Sequence, residues 1–291
     1  MDDLISINDL SVSEIEAIFK KTSETKGSIS EALHGKCLAM IFEKPSTRTR
    51  VSFENAMTQL GGHAIFLSPN DTQLGRGESI ADTAHALSRY VDAIMARLFD
   101  HQSIVDLAKY AEIPVINGLT DFCHPCQILT DLYTVIEKKG TLNLKFAWLG
   151  DGNNVCNSFI FAASKLKFQL SIATPKGFEP KAFDYVNPSN IEIMHDPREA
   201  IKDASVIITD TWVSMGQEAE KEKRLKIFKP FQVNRELTSF ADPNYLFMHC
   251  LPAYRGYEVT SEVIDGPNSI IWDEAENRLH VQKAILTLLI H

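Results

Sequence analysis

The stretch "CLAMIFEKPSTRTRVSFENAM", residues 37–57, joins an apolar run to a segment with helical spacing. Pro45 interrupts the strand that the apolar run predicts, and Ser46 or Thr47 can cap the helix that follows. Gly61 and Gly62 mark the end of that helix. Its apolar residues recur every three or four positions on one face: Phe53, Ala56, Met57 and Leu60. The stretch therefore predicts a β-strand, a short turn and an amphipathic α-helix.

Hydroxyl residues and an arginine crowd the predicted start of this helix, in Ser46, Thr47, Arg48 and Thr49. Backbone N–H groups and the positive end of the helix dipole favour an anion at that position. Hydroxyl groups and the forked guanidinium of Arg48 would add hydrogen bonds that suit a phosphate. A capped helix with solvated arginines is the alternative interpretation.

The alternation of apolar runs and helical segments continues along the chain. In the first half the runs occupy residues 37–43, 64–67, 92–99 and 113–117. After residue 141 they restart at residues 144–150, 169–174, 191–195, 204–209, 245–250 and 269–273. Such alternation is typical of parallel sheets with crossover helices.

The length of the chain fits two such sheets. Its 291 residues exceed the ~100–200 that one domain usually contains. We therefore predict an α/β protein of two domains, each a parallel sheet flanked by helices. Helical spacing over residues 124–140 predicts a helix that bridges the domains, and residues 276–290 read as a terminal amphipathic helix.

The composition excludes several classes of protein. A net charge of −9 argues against a surface that binds nucleic acid or anionic lipid. No stretch approaches the ~18 apolar residues of a membrane span, and the first residues lack the pattern of a signal peptide. Five cysteines, an odd number in a chain of this length, predict free thiols rather than a disulfide framework. We expect a cytoplasmic protein.

Polar residues follow many of the predicted strands directly. In the first half they are Arg97, Asn117 and the segment "HPCQ", residues 124–127. In the second half they lie in "GDGNN" (150–154), "DTWVSMGQE" (210–218) and "HCLPA" (249–253), with Arg278 after the last run. Because ligands of open α/β sheets bind outside the carboxyl ends of the strands, these segments predict binding sites.

Two of these segments resemble other motifs. "GDGNNV" begins like a dinucleotide-binding fingerprint, but Val155 replaces the third glycine and the next strand ends in Thr174 without a ribose-binding acid. "CHPC" has the spacing of a redox pair or of half a zinc site, but no second pair completes four ligands. We interpret Cys123 and Cys126 as structural thiols, with metal or dithiol chemistry as the alternative.

Together, "PSTRTRVSFE", "HPCQ", "WLGDGNN", "DTWVSMGQE", "HCLPA" and "WDEAENR" resemble the aspartate/ornithine carbamoyltransferase family, over residues from about 37 to the C-terminus. S-T-R-T-R and H-P-x-Q are shared across that family and indicate carbamoyl phosphate. D-x-W-x-S-M-G with H-C-L-P is similar to the pattern of its ornithine-specific members. The resemblance implies transfer of a carbamoyl group to ornithine, which gives citrulline and phosphate.

The resemblance also implies which substrate each part of the chain binds. It assigns residues 1–130 to carbamoyl phosphate, residues 131–275 to ornithine, and residues 276–291 to a helix that packs back on the first domain. The implied carbamoyl-phosphate-binding residues are Ser46, Thr47, Arg48, Thr49, Gln73, Arg97, His124, Gln127, Cys250, Leu251 and Arg278. The implied ornithine-binding residues are Asn154, Asp210, Ser214 and Met215.

The chemistry of carbamoyl transfer fits these residue types. Arg97 and His124 can stabilise the oxyanion that develops on the carbamoyl group, so we expect both to be catalytic. An alkyl amine with a pKa of about 10.4 is deprotonated in only roughly one part in 2,500 at pH 7. Cys250 is the third predicted catalytic residue, because a thiolate is a candidate acceptor of that proton. A buried small thiol at a strand end is the alternative role for Cys250.

The family resemblance extends to assembly and cofactors. It implies a homotrimer or a multiple of trimers, and a reaction that uses neither a metal nor an organic cofactor. Two alternatives stay open. One is a sister carbamoyltransferase that acts on putrescine or on an N-acylated ornithine, and the other is a non-catalytic anion-binding module.

Overall fold

The chain folds as two compact units. The computed structural model describes residues 1–72, 77–186, 188–213, 216 and 218–291. Unit 1 contains residues 1–133 and 276–291, and unit 2 contains residues 134–275. The boundaries between the units therefore fall inside two helices, α5 and α11, whose bounds are given below. The substrate assignments of the two predicted domains stay predictions.

Unit 1 alternates strands and helices. Its elements are α1 (Val12–Thr25), β1 (Cys37–Phe42), α2 (Thr47–Gln59), β2 (His63–Leu67), α3 (Ile80–Leu87), β3 (Ala93–Arg97), α4 (His101–Tyr110), β4 (Val115–Leu119) and the first part of α5 (Pro125–Lys139). The last part of α11 (Ile271–Leu289) completes it. Among the described residues the strands form a four-stranded parallel sheet in the order β2-β1-β3-β4.

The order of these strands locates a crevice. From β1 the chain moves to β2 on one side and then returns to β3 on the other side of β1. Such a reversal leaves an opening at the carboxyl ends of the two neighbouring strands, where open sheets bind ligands. The segment after β1, which starts at Glu43, and Arg97 at the end of β3 both lie at this edge of the sheet.

The opening stretch adopts the predicted strand–turn–helix. Ser46 caps α2, because its hydroxyl accepts a hydrogen bond from the Thr49 N–H at 3.2 Å. Gly61 has a φ of 79°, a left-handed conformation that glycine adopts without strain and that ends the helix. The predicted apolar face is buried: Phe53, Ala56, Met57 and Leu60.

Unit 2 has the same kind of alternation. Its elements are β5 (Lys145–Leu149), α6 (Asn154–Leu166), β6 (Gln169–Ala173), β7 (Ile191–Met194), α7 (Pro197–Ile201), β8 (Val206–Thr209), α8 (Lys221–Phe228), α9 (Arg235–Thr238), β9 (Leu246–Met248), α10 (Ser261–Ile264) and the start of α11. Among the described residues the strands form a five-stranded parallel sheet in the order β7-β6-β5-β8-β9. The predicted fold class, two parallel sheets flanked by helices, is confirmed.

The second sheet also reverses its strand order at one point. The chain leaves β5 for β6 and β7 on one side, and β8 and β9 pair on the other side. The crevice predicted by this order lies between the ends of β5 and β8. The segment 150–154 follows β5, and Asp210 follows β8, so both predicted segments begin at this crevice.

One predicted strand is wrong. Residues 269–273 contribute only a single bridge, between Ser269 and Phe247, and α11 begins at Ile271. The Ile270 N–H donates to the Phe247 carbonyl, so the apolar run is buried beside β9 but turns helical at once. Arg278 therefore lies within α11 and not after a strand. Short apolar runs do not distinguish a strand from the start of a buried helix.

The prediction of free thiols rather than a disulfide framework is confirmed, since none of the five cysteines forms a disulfide. Three of them, Cys123, Cys126 and Cys156, are buried.

Within the described ranges, no helix is both long enough and apolar enough to cross a bilayer.

Candidate active site

The two arginines of the opening stretch have different surroundings. Arg50 is exposed, pairs with Glu54 through Nε at 3.0 Å, and places its guanidinium carbon 3.7 Å from the centre of the Phe66 ring. Arg48 is half-buried, and its charge acts on the buried imidazole of His124. Arg48 therefore acts through its charge on another predicted site residue of unit 1, whereas Arg50 is engaged by Glu54 and Phe66.

Arg278 ties three distant segments of unit 1 together. Its guanidinium is buried, donates through one nitrogen to Gln127 Oε1 at 2.6 Å and through another to Thr49 Oγ1 at 3.1 Å. Gln127 in turn donates through Nε2 to Asp131 at 2.8 Å. Thr49, Gln127 and Arg278 thus form one hydrogen-bonded group.

His124 is held as a neutral imidazole. It is buried, and this burial lowers the pKa of His124 well below its ordinary value. The positive charges of Arg278, Arg97 and Arg48 lower the pKa further. A neutral imidazole among three guanidinium groups can donate or accept a hydrogen bond, while the arginines supply the positive charge that an anion requires.

The thiols of "CHPC" are structural. Cys126 donates through Sγ to the Asn117 carbonyl at 3.4 Å, and Cys123 Sγ accepts from Asn117 Nδ2 at 3.3 Å. Burial raises the pKa of both thiols to about 12. Neither sulfur is a thiolate at neutral pH, which disfavours the metal and dithiol alternatives.

Asp210 is the centre of the predicted acceptor residues in unit 2. It is buried at the end of β8 and accepts hydrogen bonds from Asn153 Nδ2 at 2.7 Å and from the Thr211 N–H at 2.7 Å. The Cys250 thiol donates to Asp210 Oδ1 at 3.2 Å. The structure therefore brings together two predicted residues that are 40 positions apart in the chain.

The "GDGNN" segment contributes Asn153, a residue that the sequence analysis did not select. Asn153 donates to Asp210, and the predicted Asn154 accepts through Oδ1 from the Val155 N–H at 3.1 Å. Gly152 is required for packing, because an added Cβ would lie 2.3 Å from the Pro180 nitrogen. Gly152 therefore serves a close contact between two backbone segments of unit 2.

A buried ion pair that the sequence analysis missed lies beside this segment. Arg224 on α8 forms a salt bridge with Asp151 and donates through Nε to the Trp212 carbonyl. Burial raises the pKa of Asp151 to about 6, although the Arg224 charge opposes that increase. The run "KEKR", residues 221–224, gave no signal for this role, since such runs usually form solvated surfaces.

Asp210, His249 and Cys250 place an oxygen, a nitrogen and a sulfur within 4.8 Å of one another. This donor set suits a divalent transition metal. Both imidazole nitrogens of His249 already have hydrogen-bond partners, however, in Leu251 N–H and Glu258. A metal would have to displace one of these contacts.

Three predicted site residues, Gln73, Ser214 and Met215, lie outside the described residues. Of the others, Ser46, Thr47, Arg48, Thr49, Arg97, His124, Gln127 and Arg278 belong to unit 1, and Asn154, Asp210, Cys250 and Leu251 belong to unit 2. The predicted roles of all these residues stay predictions.

Comparison with known families matches the chain in two consecutive parts. Residues 2–137 match the carbamoyl-P binding domain of aspartate/ornithine carbamoyltransferase, and residues 142–289 match its Asp/Orn binding domain. The chain belongs to the aspartate/ornithine carbamoyltransferase family. The resemblance seen in the sequence motifs is thereby confirmed.

Individual relatives share most of their length with this chain. The ornithine carbamoyltransferase of Pyrococcus abyssi is 56% identical over 99% of this chain and 95% of its own. The protein of Pyrococcus furiosus named "Ornithine carbamoyltransferase, anabolic" is 56% identical over 99% of this chain and 96% of its own. A solved structure of the Pyrococcus furiosus enzyme matches with a TM-score of 0.93, 55% identity, and coverage of 99% and 96%.

The neutral state of His124 predicts a pH-dependent stability difference. Because folding lowers the pKa of His124, the unfolded chain binds a proton more readily below about pH 6.5, and the folded state loses stability there. The stability that wild type holds over a His124→Gln variant should shrink on acidification, by up to about 1.4 kcal/mol per pH unit below about 6.5. Urea unfolding of both proteins between about pH 5 and 8 measures this difference. Parallel stability–pH curves would show that His124 keeps an ordinary pKa.

Proposed function

We propose that this protein is an enzyme that transfers the carbamoyl group of carbamoyl phosphate to the δ-amino group of L-ornithine, giving L-citrulline and phosphate. The observation that carries this proposal is the full-length match to ornithine carbamoyltransferases at 56% identity. The two groups of polar side chains support it. Unit 1 supplies cationic and hydrogen-bonding groups for an anion, and unit 2 supplies a carboxylate and a thiol for an amine.

On the donor side, we assign carbamoyl phosphate to unit 1. The N-terminus of α2 offers free N–H groups and the positive end of its dipole to the phosphate. Ser46, Thr47, Arg48, Thr49 and Arg97 are the proposed phosphate-binding residues, with Gln73 as a further one. His124, Gln127 and Arg278 would bind the carbamoyl oxygen and amide, as their mutual contacts allow.

The reaction forms one bond and breaks another. The amine nitrogen uses its lone pair to attack the carbamoyl carbon, and the bond from that carbon to the phosphate oxygen then breaks. Phosphate departs with the electron pair. Arg97 and His124 stabilise the oxygen of the tetrahedral intermediate, and Arg48 stabilises the departing phosphate.

On the acceptor side, Asp210 would attract the α-ammonium group of ornithine, with Asn154, Ser214 and Met215 as further proposed contacts. The δ-ammonium must lose a proton before attack, at a cost of about 4–5 kcal/mol at pH 7. The Cys250 thiol donates a hydrogen bond to Asp210, which holds the sulfur beside that carboxylate. Once its own proton has been released to solvent, Cys250 is a thiolate that can accept the proton of the amine, while Leu251 lines the reacting centre.

The choice of acceptor is tested by competition. Ornithine, putrescine, acetylornithine and aspartate are offered together with carbamoyl phosphate, and each product is quantified. We expect citrulline to dominate. Carbamoylated putrescine or carbamoylated acetylornithine as the main product would support a sister carbamoyltransferase. No carbamoylated product at all would support a non-catalytic anion-binding module.

We further propose that the enzyme works in the anabolic direction, as a step of arginine biosynthesis. A relative with 56% identity carries the word "anabolic" in its name, which supports this direction. The five free thiols fit the reducing environment of the cytoplasm, where we place the enzyme. We propose that it uses no metal or organic cofactor.

The two arginines of the opening stretch provide a matched test of the phosphate site. Arg48→Ala should weaken carbamoyl phosphate binding by about tenfold or more, because a charge-assisted hydrogen bond contributes about 1.5–3 kcal/mol. Arg50→Ala should change it by less than about fivefold, since an exposed ion pair contributes at most about 1 kcal/mol. Saturation kinetics with carbamoyl phosphate measures both. An equal effect of the two substitutions would contradict the assignment of Arg48.

Cys250 and Cys126 provide a second matched test. Cys250→Ser should lower turnover and shift the pH–rate profile, because a hydroxyl is a far poorer base than a thiol. Cys126→Ser should do little, since serine can repeat the hydrogen bond to the Asn117 carbonyl. Rates at saturating carbamoyl phosphate from about pH 6 to 10 separate the two. Loss of activity in Cys126→Ser with an unmoved profile in Cys250→Ser would reverse the roles of these thiols.

We also propose a homotrimer or a multiple of trimers, on the strength of the family resemblance alone. Light scattering should report a mass three times that of the 291-residue chain, or a multiple of that value. An active monomer at low concentration would contradict this proposal.

A further inference from the structure

We infer that Lys283 is a positioning residue for the proposed phosphate site, and that it acts by holding the end of α2 that is remote from this site. The inference rests on the proposed function, because it takes the start of α2 as the site of carbamoyl phosphate. Neither Lys283 nor its partner Gln59 was among the predicted site residues.

The C-terminal helix contacts α2 at both of its ends. Near the start of α2, Arg278 donates to Thr49 Oγ1 at 3.1 Å. At the last residue of α2, Lys283 Nζ donates to Gln59 Oε1 at 3.2 Å. Positions 49 and 59 are about 15 Å apart along a helix that rises about 1.5 Å per residue. Two contacts with this separation fix the direction of α2 as well as its position.

The Lys283 ammonium lies where the end of α2 meets the segment that follows α1. The residue is 1% exposed, and Nζ also donates to the Ser28 carbonyl. The Ser30 N–H donates to the Gln59 carbonyl at 2.9 Å. Lys283 therefore binds both segments of this junction and joins them to α11.

The positive charge of Lys283 suits the end of α2. The last turn of a helix carries the negative end of its dipole, so an ammonium group is stabilised there. At the start of α2 the dipole and the guanidinium of Arg278 are both positive, a combination that a bound anion stabilises. The two cations of α11 thus hold one end of α2 by attraction and prepare the other end for an anion.

The contact at the start of α2 orients a hydroxyl group. Thr49 Oγ1 accepts from Arg278, and a hydroxyl that accepts in this way can donate its hydrogen to a phosphate oxygen. The Thr49 N–H donates to Ser46 Oγ at 3.2 Å, which orders the turn before the helix. Because a helix is a continuous hydrogen-bonded rod, release of the end at Gln59 would change the placement of Ser46 and Thr49.

A role in stability alone would not require a lysine. A buried ammonium is costly to desolvate, and the oxygens that Lys283 binds on Ser28 and Gln59 are neutral. Well-packed apolar residues often replace buried charged groups without loss of stability. A lysine adds directional contacts that apolar packing lacks, and these contacts fix the placement of α2.

Lys283→Met removes the charge and keeps an unbranched side chain of similar length. It should weaken the binding of inorganic phosphate by about fivefold or more, the factor that one net hydrogen bond controls. Titration calorimetry measures this affinity. The urea midpoint of unfolding should stay equal or rise, since an apolar side chain replaces a buried charge. Unchanged phosphate affinity in folded Lys283→Met would overturn the inference.

Lys36→Met is the matched control, because Lys36 also holds the C-terminal segment. Lys36 Nζ donates to the backbone oxygen of His291 at 2.7 Å and pairs with Asp92 at 3.2 Å. These contacts tie the end of the chain to Asp92 and not to α2, so the phosphate affinity should change less than about twofold. An equal loss in Lys36→Met and Lys283→Met would indicate general loosening of the C-terminal segment and overturn the inference.

Substitutions of Gln59 cover the case in which Lys283→Met does not fold. Gln59→Leu removes the acceptor and should weaken phosphate binding by about threefold or more. Gln59→Glu keeps an acceptor oxygen and should stay within about twofold of wild type. In the double variant Lys283→Met/Gln59→Leu, the loss should lie within about twofold of that of Lys283→Met, because both changes remove one contact. Losses that multiply, or equal losses in Gln59→Leu and Gln59→Glu, would overturn the inference.

Steady-state kinetics shows which substrate depends on this contact. In Lys283→Met the KM for carbamoyl phosphate should rise by about fivefold or more, while the KM for ornithine at saturating carbamoyl phosphate should change less than about twofold. Equal increases for the two substrates would overturn the inference. If wild type binds phosphate but forms no citrulline, the proposed function fails, and the phosphate affinities still decide the role of Lys283. Wild type that binds no phosphate would overturn the inference itself.

Discussion

The hydrogen bonds of Arg278 to Thr49 and Gln127 are the constraint on which the first unit depends. They join the start of α2, the start of α5 and the C-terminal helix, segments separated by 229 and 151 positions in the chain. A guanidinium buried at this depth is stable only when its donors have partners. Thr49 and Gln127 accept from two of its nitrogens, and the same cation contributes, with Arg97 and Arg48, to the positive charge around His124.

Strand order explains why the chemistry gathers where it does. In each sheet the chain adds strands first on one side of the first strand and then on its other side. The first strand is β1 in unit 1 and β5 in unit 2. Segments that leave adjacent strands at that point converge without any long excursion of the chain. Asn153 and Asp210 meet in this way, after β5 and β8. The convergence of segments at the carboxyl ends of the strands occurs in both sheets. In unit 1 it gathers cationic side chains, and in unit 2 it gathers a carboxylate and a thiol.

Sequence patterns correctly predicted the features that depend on residues close together in the chain. The cap at Ser46 and the buried face of α2 follow from residue spacing alone, and the order of strands and helices follows from apolar runs. The prediction of a strand at residues 269–273 is wrong, because a short apolar run buried beside β9 has the same sequence pattern in a strand and in the start of a helix. Asn153 and Asn154 are chemically identical neighbours, so the sequence alone did not single out Asn153 as a partner of Asp210. Glu258 pairs with His249, and Arg224 pairs with Asp151. Both pairs are tertiary contacts that no sequence motif marks.

The discontinuity of unit 1 affects the order in which the protein is completed during synthesis. Residues 134–275, which make up unit 2, leave the ribosome before residues 276–291, which unit 1 still lacks. Domains generally fold as units while the chain is being made. Unit 1 must therefore wait with Thr49 and Gln127 unbridged until the last helix emerges. The contacts of Arg278 with Thr49 and Gln127 are therefore among the last to form after synthesis.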